Sequence, residues 1–352
     1  MRQIKCVLRS KRLFRRKYYS SLPNVISAIE HELSGSGNSN GYRQMHQRLI
    51  IDHRLVVQRQ IMQIILKHLD PEGVRLRSRK AFRRREYYVR GPNYMWHLDG
   101  YDKLKPFGFA IHGAIDGYSR RMLWLKVGPT NNDPSVIANY YLSTVHGIGG
   151  APRILRGDRG TENSYVARLQ GFLRRNSSDA FSGNRSFLYG RSVSNQRIES
   201  WGSFFRKSET DWWIKFFKEL RVSGHIDCIR YCFTLLIQEE LNRVLRHWNL
   251  HKIRPSRNSE SPPGRPDVLF FLPQLQGTRD YKTIVPSDEI EIAIKDVCGT
   301  LDSHTADTGC RKEFVDLANI IIDDEHLSHP SNTDEALILY RKLVTSLENL
   351  LN

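Results

Sequence analysis

The sequence predicts an α/β fold in which a mixed five-stranded sheet is flanked by helices. Three short apolar runs, each bounded by turn residues, follow one another in residues 91–127 and are typical of consecutive antiparallel strands. Helix-like and strand-like segments then alternate as far as residue 205, which favours a mixed sheet covered by helices. A helical region is predicted before this core and a helical extension after it.

Residues 1–90 are predicted to form short helices. Apolar residues recur at helical spacing in three segments, which are residues 22–33, 42–51 and 56–69. A break rich in Gly, Ser and Asn at residues 34–41 predicts a flexible connection, and Asp70-Pro71 predicts the end of the third helix.

The same region is strongly basic. It contains 21 Lys and Arg against 6 Asp and Glu, a net charge of +15, and its arginines cluster after residue 74. Such a region suits a DNA-binding role in which Arg83, Arg84 and Arg85 contact phosphates. A helical bundle that only supports the rest of the chain would have the same apolar pattern, so the sequence leaves both interpretations open.

The predicted core, residues 91–220, contains five strands and three helices. The strands are expected at residues 94–98, 108–115, 121–127, 153–156 and 186–189. The helices are expected at residues 133–146 and 163–175 and from about Asn195 onward. Asp133 followed by Pro134 predicts the start of the first helix, because Asp is a preferred N-cap and Pro a preferred first residue.

The rest of the chain is predicted to be a helical extension with a Pro- and Ser-rich arm, residues 221–284, and then an acidic helical tail, residues 285–352. The arm is expected to be extended over residues 254–273. The tail contains 5 Lys and Arg against 14 Asp and Glu, a net charge of −9. A basic front and an acidic tail in a chain of net charge +17 favour a polyanion as the partner.

The composition excludes several classes of protein. No run of 18 or more apolar residues occurs, and the basic first 19 residues lack the apolar segment of a secretory signal, so we expect neither a membrane span nor secretion. The five cysteines are scattered and odd in number, which favours a reducing compartment over a disulfide framework.

Three acidic residues carry the predicted chemistry. Asp99 and Asp158 each follow an apolar run that predicts a strand, and Glu199 lies in a predicted helix. Three carboxylates brought together on such a scaffold can hold two divalent cations. In a strongly basic chain, such a site suggests chemistry on a phosphodiester.

Nearby polar residues are predicted to have other roles. Asp116 begins a turn and is expected to cap it through its own side chain. Asp102 lies three residues beyond Asp99, so strand alternation directs it to the opposite face. Glu162 is expected to point outward at a helix N-terminus. His97 could share the face of Asp99 but is expected in the core or at an edge.

Three arginines near these acids are candidate DNA contacts: Arg159, Arg197 and Arg206. Arg159 follows Asp158 directly, and Arg206, seven residues beyond Glu199, is expected on the same helix face. Surface charge without a ligand is the alternative for all three.

Several motifs stand in sequence order between about residues 42 and 271. They are Gly41-Tyr42-Arg43-Gln44-Met45-His46, Trp96-His97-Leu98-Asp99-Gly100-Tyr101-Asp102-Lys103, Ile115-Asp116-Gly117-Tyr118-Ser119-Arg120, Gly157-Asp158-Arg159-Gly160-Thr161-Glu162-Asn163, Asn195-Gln196-Arg197-Ile198-Glu199, Trp248-Asn249 and Ser261-Pro262-Pro263-Gly264-Arg265-Pro266. Together they resemble the catalytic core shared by retroviral-type integrases and related transposases. The likeness is greatest to the integrase-core proteins of transposon origin found in animal genomes.

The resemblance implies a ribonuclease H-like fold and DNA strand transfer that depends on two Mg²⁺ or Mn²⁺ ions. It implies that Asp99, Asp158 and Glu199 are the catalytic residues and metal ligands, and we assign the bridging position to Asp99. It further implies DNA as the partner, a homo-oligomer on DNA ends and a nuclear location. The paired histidines and cysteines that bind zinc before retroviral cores are absent from the N-terminal region.

Two alternatives stay open. One is a domesticated DNA-binding protein that keeps the fold without catalysis. The other is a ribonuclease that acts on RNA–DNA hybrids, which would use the same kind of metal site on a different substrate.

Overall fold

The chain forms two compact units. The computed structural model describes residues 7, 10, 11, 19–77, 88–190, 195–206, 210–220, 225–255, 262–298 and 308–351. One unit comprises residues 1–83 and 206–212, and the other comprises residues 84–205 and 213–352. Each unit has a hydrophobic core of its own.

The first unit is helical. Its helices are α1 (Leu22–Ser34), α2 (Tyr42–Ile51), α3 (Arg59–Leu69) and α4 (Pro71–Arg77). The Asp70 carboxylate accepts a hydrogen bond from Gly73 N at 3.0 Å, so α4 begins directly where α3 ends. The predicted break at residues 34–41 does separate two helices, since α1 ends at Ser34 and α2 begins at Tyr42. The connection contains a 3₁₀ turn, Ser36–Ser39, in which Ser36 and Gly37 are buried.

A buried ion pair joins two helices of this unit. Glu32 of α1 accepts a hydrogen bond from Arg48 Nη1 of α2, and both side chains are 2 % exposed. The second carboxylate oxygen of Glu32 lies 2.9 Å from His53 Nε2. Apolar residues of α1, α2 and α3 form the hydrophobic core of this unit.

The second unit is built on a five-stranded sheet. The strands are β1 (Met95–Tyr101), β2 (Ala110–Asp116), β3 (Met122–Gly128), β4 (Ile154–Gly157) and β5 (Phe187–Tyr189). Their order across the sheet is β3-β2-β1-β4-β5. β1, β2 and β3 are antiparallel neighbours, whereas β1, β4 and β5 are parallel. The predicted mixed five-stranded sheet is thus confirmed.

Helices follow and flank this sheet. The helices from residue 134 onward are α5 (Pro134–Ile148), α6 (Ser164–Leu173), α7 (Gln196–Phe205), α8 (Asp211–Glu219, with its first two residues in the first unit), α9 (Ile226–Leu250), α10 (Pro266–Phe271), α11 (Ser287–Cys298), α12 (Lys312–Asp324) and α13 (Thr333–Leu351). α5 and α6 pack on the face that presents Trp96 and Leu98. α7 packs on β1 and β2; because side chains alternate along a strand, the face of β1 that it meets presents His97 and Asp99.

The first of these helices begins as predicted. The Asp133 side chain accepts from Ser135 N at 2.9 Å, Pro134 is the first helical residue, and Gly149 ends the helix with a φ of 69°. The cap and the proline therefore fix where the chain turns from β3 into α5.

The C-terminal helices belong to the second unit and pack on its other helices. α11 lies against α5, and α13 lies against α9. The predicted extended arm was wrong over Pro266–Phe271, which form α10 with Leu269 and Phe270 buried. Across the described ranges, no helix combines the length and the apolar character needed to cross a membrane.

Candidate active site

Neighbouring strands bring Asp99 and Asp158 to the same part of the sheet. In the parallel pair of β1 and β4, His97 lies beside Arg156. Continuing that register by two residues places Asp158, which follows the last residue of β4, beside Asp99. Adjacent strands are about 4.8 Å apart, so these two acids share one neighbourhood.

The Asp158 carboxylate is held by the turn that follows it. Its Oδ1 atom accepts hydrogen bonds from Gly160 N at 3.1 Å and from Asn163 Nδ2 at 2.8 Å. Asp side chains commonly bond to backbone groups two residues ahead, which fixes their rotamer. Asp158 is therefore presented by a rigid turn at the end of β4.

Glu199 lies in the first turn of α7 and is exposed. The same helix buries Ile198, Trp201 and Phe205, at spacings that place them on one face. The Phe205 ring lies 5.1 Å from that of Tyr101 at the end of β1. The buried face anchors α7 on the sheet and leaves Glu199 at the rim of the acidic site.

Asp158 and Glu199 both lie within electrostatic reach of Asp99. The pKa of the Asp99 carboxyl is raised from its usual range to about 7, first by burial and then by the negative charges of Glu199 and Asp158. Like charges have this effect only over short distances. Since both other acids act on Asp99, it is the central member of the three.

The donor set suits a hard divalent cation. Carboxylate oxygens are the ligands that Mg²⁺ prefers, and a cation among mutually repelling carboxylates would lower the pKa of Asp99. Within the described residues, no three His, Cys, Asp or Glu side chains are gathered tightly enough to hold an ion as they stand. The three carboxylates thus fit the ion in chemistry, whereas their arrangement is not that of a closed three-ligand site.

Two further acids belong to this neighbourhood, although the sequence predicted that both point away from it. The pKa of Glu162 is raised by burial and by contact with Asp158 and the charge of Asp102. A Cβ atom at Gly160 would lie 2.0 Å from Glu162 Oε1, so the Glu162 side chain folds back over that glycine. The outward direction predicted for Glu162 was therefore wrong.

The prediction for Asp102 was wrong as well. β1 ends at Tyr101 and Asp102 begins a 3₁₀ turn, so strand alternation does not apply to it. Its charge contributes to the raised pKa of Asp99. Asn131 Nδ2 donates to its carboxylate at 2.7 Å, and Lys105 Nζ lies 3.6 Å away.

Asp116 and His97 have structural roles, as predicted. The Asp116 carboxylate accepts hydrogen bonds from Ser119 N and Oγ, both at 2.7 Å, and from Asn93 N at 2.8 Å, so it caps the turn after β2. His97 is fully buried, and burial lowers its pKa to about 3. It is therefore a neutral core histidine at neutral pH.

The candidate DNA-binding arginines differ in their surroundings. Arg159 is exposed next to Asp158. Arg197 Nε donates to the backbone oxygen of Gly117 at 3.1 Å. Arg206 follows the last residue of α7 and pairs with Asp211 at 3.5 Å. The remaining three, Arg83, Arg84 and Arg85, lie outside the described residues.

Comparison with known protein families gives one assignment for the sheet-containing part of the chain. A model of the integrase core domain matches residues 86–276, just over half of the chain. No curated protein matches the sequence. The matched segment includes all five strands, the turn after β4 and helix α7.

Proposed function

The chain belongs to the integrase core domain family, and from that premise we propose that it cleaves and joins DNA phosphodiesters with the help of divalent cations. The observation that supports this most is the raised pKa of Asp99, caused first by burial and then by the negative charges of Glu199 and Asp158. Mutual repulsion among carboxylates costs the fold stability, and a bound cation is the usual reason for such an arrangement.

Each of the three acids would have its own role in binding metal. Asp99 would be shared between two ions, because its carboxyl interacts with both other acids. The Asp158 carboxylate would bind metal from a turn that is already fixed by Gly160 and Asn163. The Glu199 carboxylate would bind metal from α7. Bound divalent ions in such sites activate a water or 3′-hydroxyl and stabilise the leaving alkoxide.

DNA is the proposed substrate because of charge. The chain has a net charge of +17, and exposed Arg159 adjoins Asp158, where it could neutralise a phosphate beside the metal. The motif order supports descent from a transposon integrase of an animal genome. We extend the proposal to a homo-oligomer on DNA ends and to a nuclear location, where such a substrate is found.

Asp158→Asn should abolish the activity. We expect the purified full chain to nick supercoiled plasmid in Mn²⁺ or Mg²⁺, a readout that requires no knowledge of a target sequence. The variant keeps the size of the side chain but removes the negative charge that the ion needs. Asp288→Asn is the matched control, since Asp288 lies in α11, on the side of the sheet that α5 covers. Nicking that persists undiminished in Asp158→Asn would rule out the assignment.

A catalytically silent DNA-binding protein is the second candidate. The observation that favours it is the lack, in the described ranges, of a ready-made cluster of three metal ligands. Salt-sensitive DNA binding without any metal-dependent nicking by the wild-type chain would support this candidate over the first.

A further inference from the structure

We propose that Asn195 and His97 form a latch that positions helix α7 against β1 and thereby sets the place of Glu199 in the acidic site. The inference rests on the proposed function, because it gives Asn195 a role in placing a metal ligand. Asn195 is a positioning residue in this account and has no contact with substrate.

The latch consists of two hydrogen bonds with fixed directions. Asn195 Nδ2 donates to the backbone oxygen of Leu98 at 2.8 Å. Because that contact fixes which end of the amide is nitrogen, Asn195 Oδ1 must accept the bond of 2.7 Å from His97 Nδ1. Asn195 is 2 % exposed and His97 is 0 % exposed. Hydrogen bonds in such a buried setting are strong and define a unique arrangement.

The two ends of the latch lie next to the acids that it would align. On the strand, His97 and Leu98 directly precede Asp99. On the helix, the backbone oxygen of Asn195 accepts from Glu199 N at 3.2 Å, so these residues are one turn apart on the same side. A rotation of α7 that moved Glu199 away from Asp99 would have to break the contacts of Asn195.

The apolar face of α7 orients the helix on the sheet, and the hydrogen bonds of Asn195 add a directional contact next to Asp99. Ile198, Trp201 and Phe205 are the buried apolar residues of that face. Arg197 Nε bonds to Gly117, beyond the end of β2 and away from Asp99. Asn195, in contrast, bonds to the backbone of β1 at Leu98, the residue before the first aspartate.

The chain contains a matched control for the latch. Asn249, near the end of α9, is also 2 % exposed and also uses its amide to clamp a helix onto a strand. Its Oδ1 accepts from Met122 N at 2.8 Å and its Nδ2 donates to Met122 O at 3.0 Å. Loss of Asn249 therefore removes two equivalent buried hydrogen bonds at β3, where no predicted metal ligand lies.

Asn195→Ala and Asn249→Ala are compared in the full chain by two measurements, of which the nicking assay is run below both unfolding temperatures. The first is the Mn²⁺ concentration that gives half of the metal-induced rise in Tm, which needs no catalysis. The second is the rate of plasmid nicking at saturating Mn²⁺, with the Kd for DNA measured in parallel. Both variants should lose Tm. Only Asn195→Ala should raise the Mn²⁺ midpoint, roughly tenfold, and slow nicking, with the Kd for DNA unchanged.

A second pair of variants keeps the test decisive if Asn195→Ala does not fold. His97→Asn retains an N–H donor close to the position of the imidazole Nδ1 atom and should keep a Mn²⁺ midpoint near that of the wild type. His97→Leu removes the donor and should raise the midpoint. The latch would be overturned if Asn195→Ala and Asn249→Ala have equal Mn²⁺ midpoints and the two His97 variants also have equal midpoints. A shifted midpoint in a chain that never nicks DNA would retain the latch and reject the proposed function.

Discussion

Replacement of Asp99 by Asn is expected to lower activity and raise stability. Plasmid nicking should fall by at least roughly 100-fold, because the central ligand loses its charge. At pH 8, the free energy of unfolding should rise by about 1–2 kcal/mol, since the variant removes a carboxylate that is ionised against its neighbours. A gain in stability that accompanies a loss of function is the expected sign of a strained functional site.

The gain in the free energy of unfolding of Asp99→Asn should depend on pH. The pKa of Asp99 is about 7 in the folded chain, well above its usual value of 3.8, so the folded state holds this proton more tightly than the unfolded state does. The contribution of Asp99 to stability therefore falls as the pH rises from about 4 to about 7. The advantage of Asp99→Asn should be largest above pH 7 and should vanish below about pH 4.

Urea unfolding at several pH values, without and with Mn²⁺, measures both effects. Mn²⁺ should stabilise the wild type and have little effect on Asp99→Asn, because only the wild type offers the full set of carboxylates. The control Asp288→Asn should respond to Mn²⁺ as the wild type does. An Asp99→Asn chain that is less stable than the wild type at pH 8 would contradict our inference that burial and the neighbouring carboxylates disfavour the ionised form of Asp99.

Loss of Glu32 should be the most damaging change in the helical unit. Glu32→Met leaves the buried Arg48 guanidinium without this carboxylate, and breaking one side of a buried pair costs about 3–5 kcal/mol. Hydrogen exchange of α1, α2 and α3 should accelerate by roughly 100-fold or more. Peptides from β1, β2 and β3 should exchange as in the wild type and serve as the internal control.

The double variant Glu32→Met/Arg48→Met tests whether the cost of Glu32→Met comes from leaving the Arg48 charge buried without the Glu32 carboxylate. Two apolar side chains of similar length can replace a buried ion pair at little cost, so the double variant should recover most of the lost protection. Exchange in the double variant as fast as in Glu32→Met would show that His53 or packing, and not the Glu32–Arg48 pair, stabilises the bundle.

Apolar runs and caps were sufficient to predict the sheet and most helices, but not the full length of each element. β1 was predicted to end at Leu98, whereas pairing with β2 continues through Asp99 and Gly100 to Tyr101. Asp and Gly are poor strand formers, so only the partner strand extends β1 past them. In the same way, Pro266–Phe271 form a helix in which Leu269 and Phe270 are buried. The surrounding Pro and Ser residues favour an extended arm, so the local sequence did not predict this helix.

The order of the three acids could be predicted from the sequence, whereas their surroundings could not. Glu162 folds back because Gly160 has no Cβ to block it, and a glycine two residues before an acid was the available signal. Asn195 at the start of a helix suggests a cap by its residue type, yet its side chain bonds to β1. A contact between residues 97 and 195 depends on the tertiary fold, and no local pattern contains it.

Iron(II)-directed cleavage of the polypeptide tests the central claim, that Asp99, Asp158 and Glu199 hold divalent ions together. Fe²⁺ bound at a Mg²⁺ site generates hydroxyl radicals under ascorbate and peroxide, and the radicals cut the backbone nearby. We expect cuts near all three acids in the wild-type chain, suppressed by Mg²⁺ and absent from Asp99→Asn. Cuts confined to other segments, or cuts near the three acids that survive in Asp99→Asn, would contradict the account.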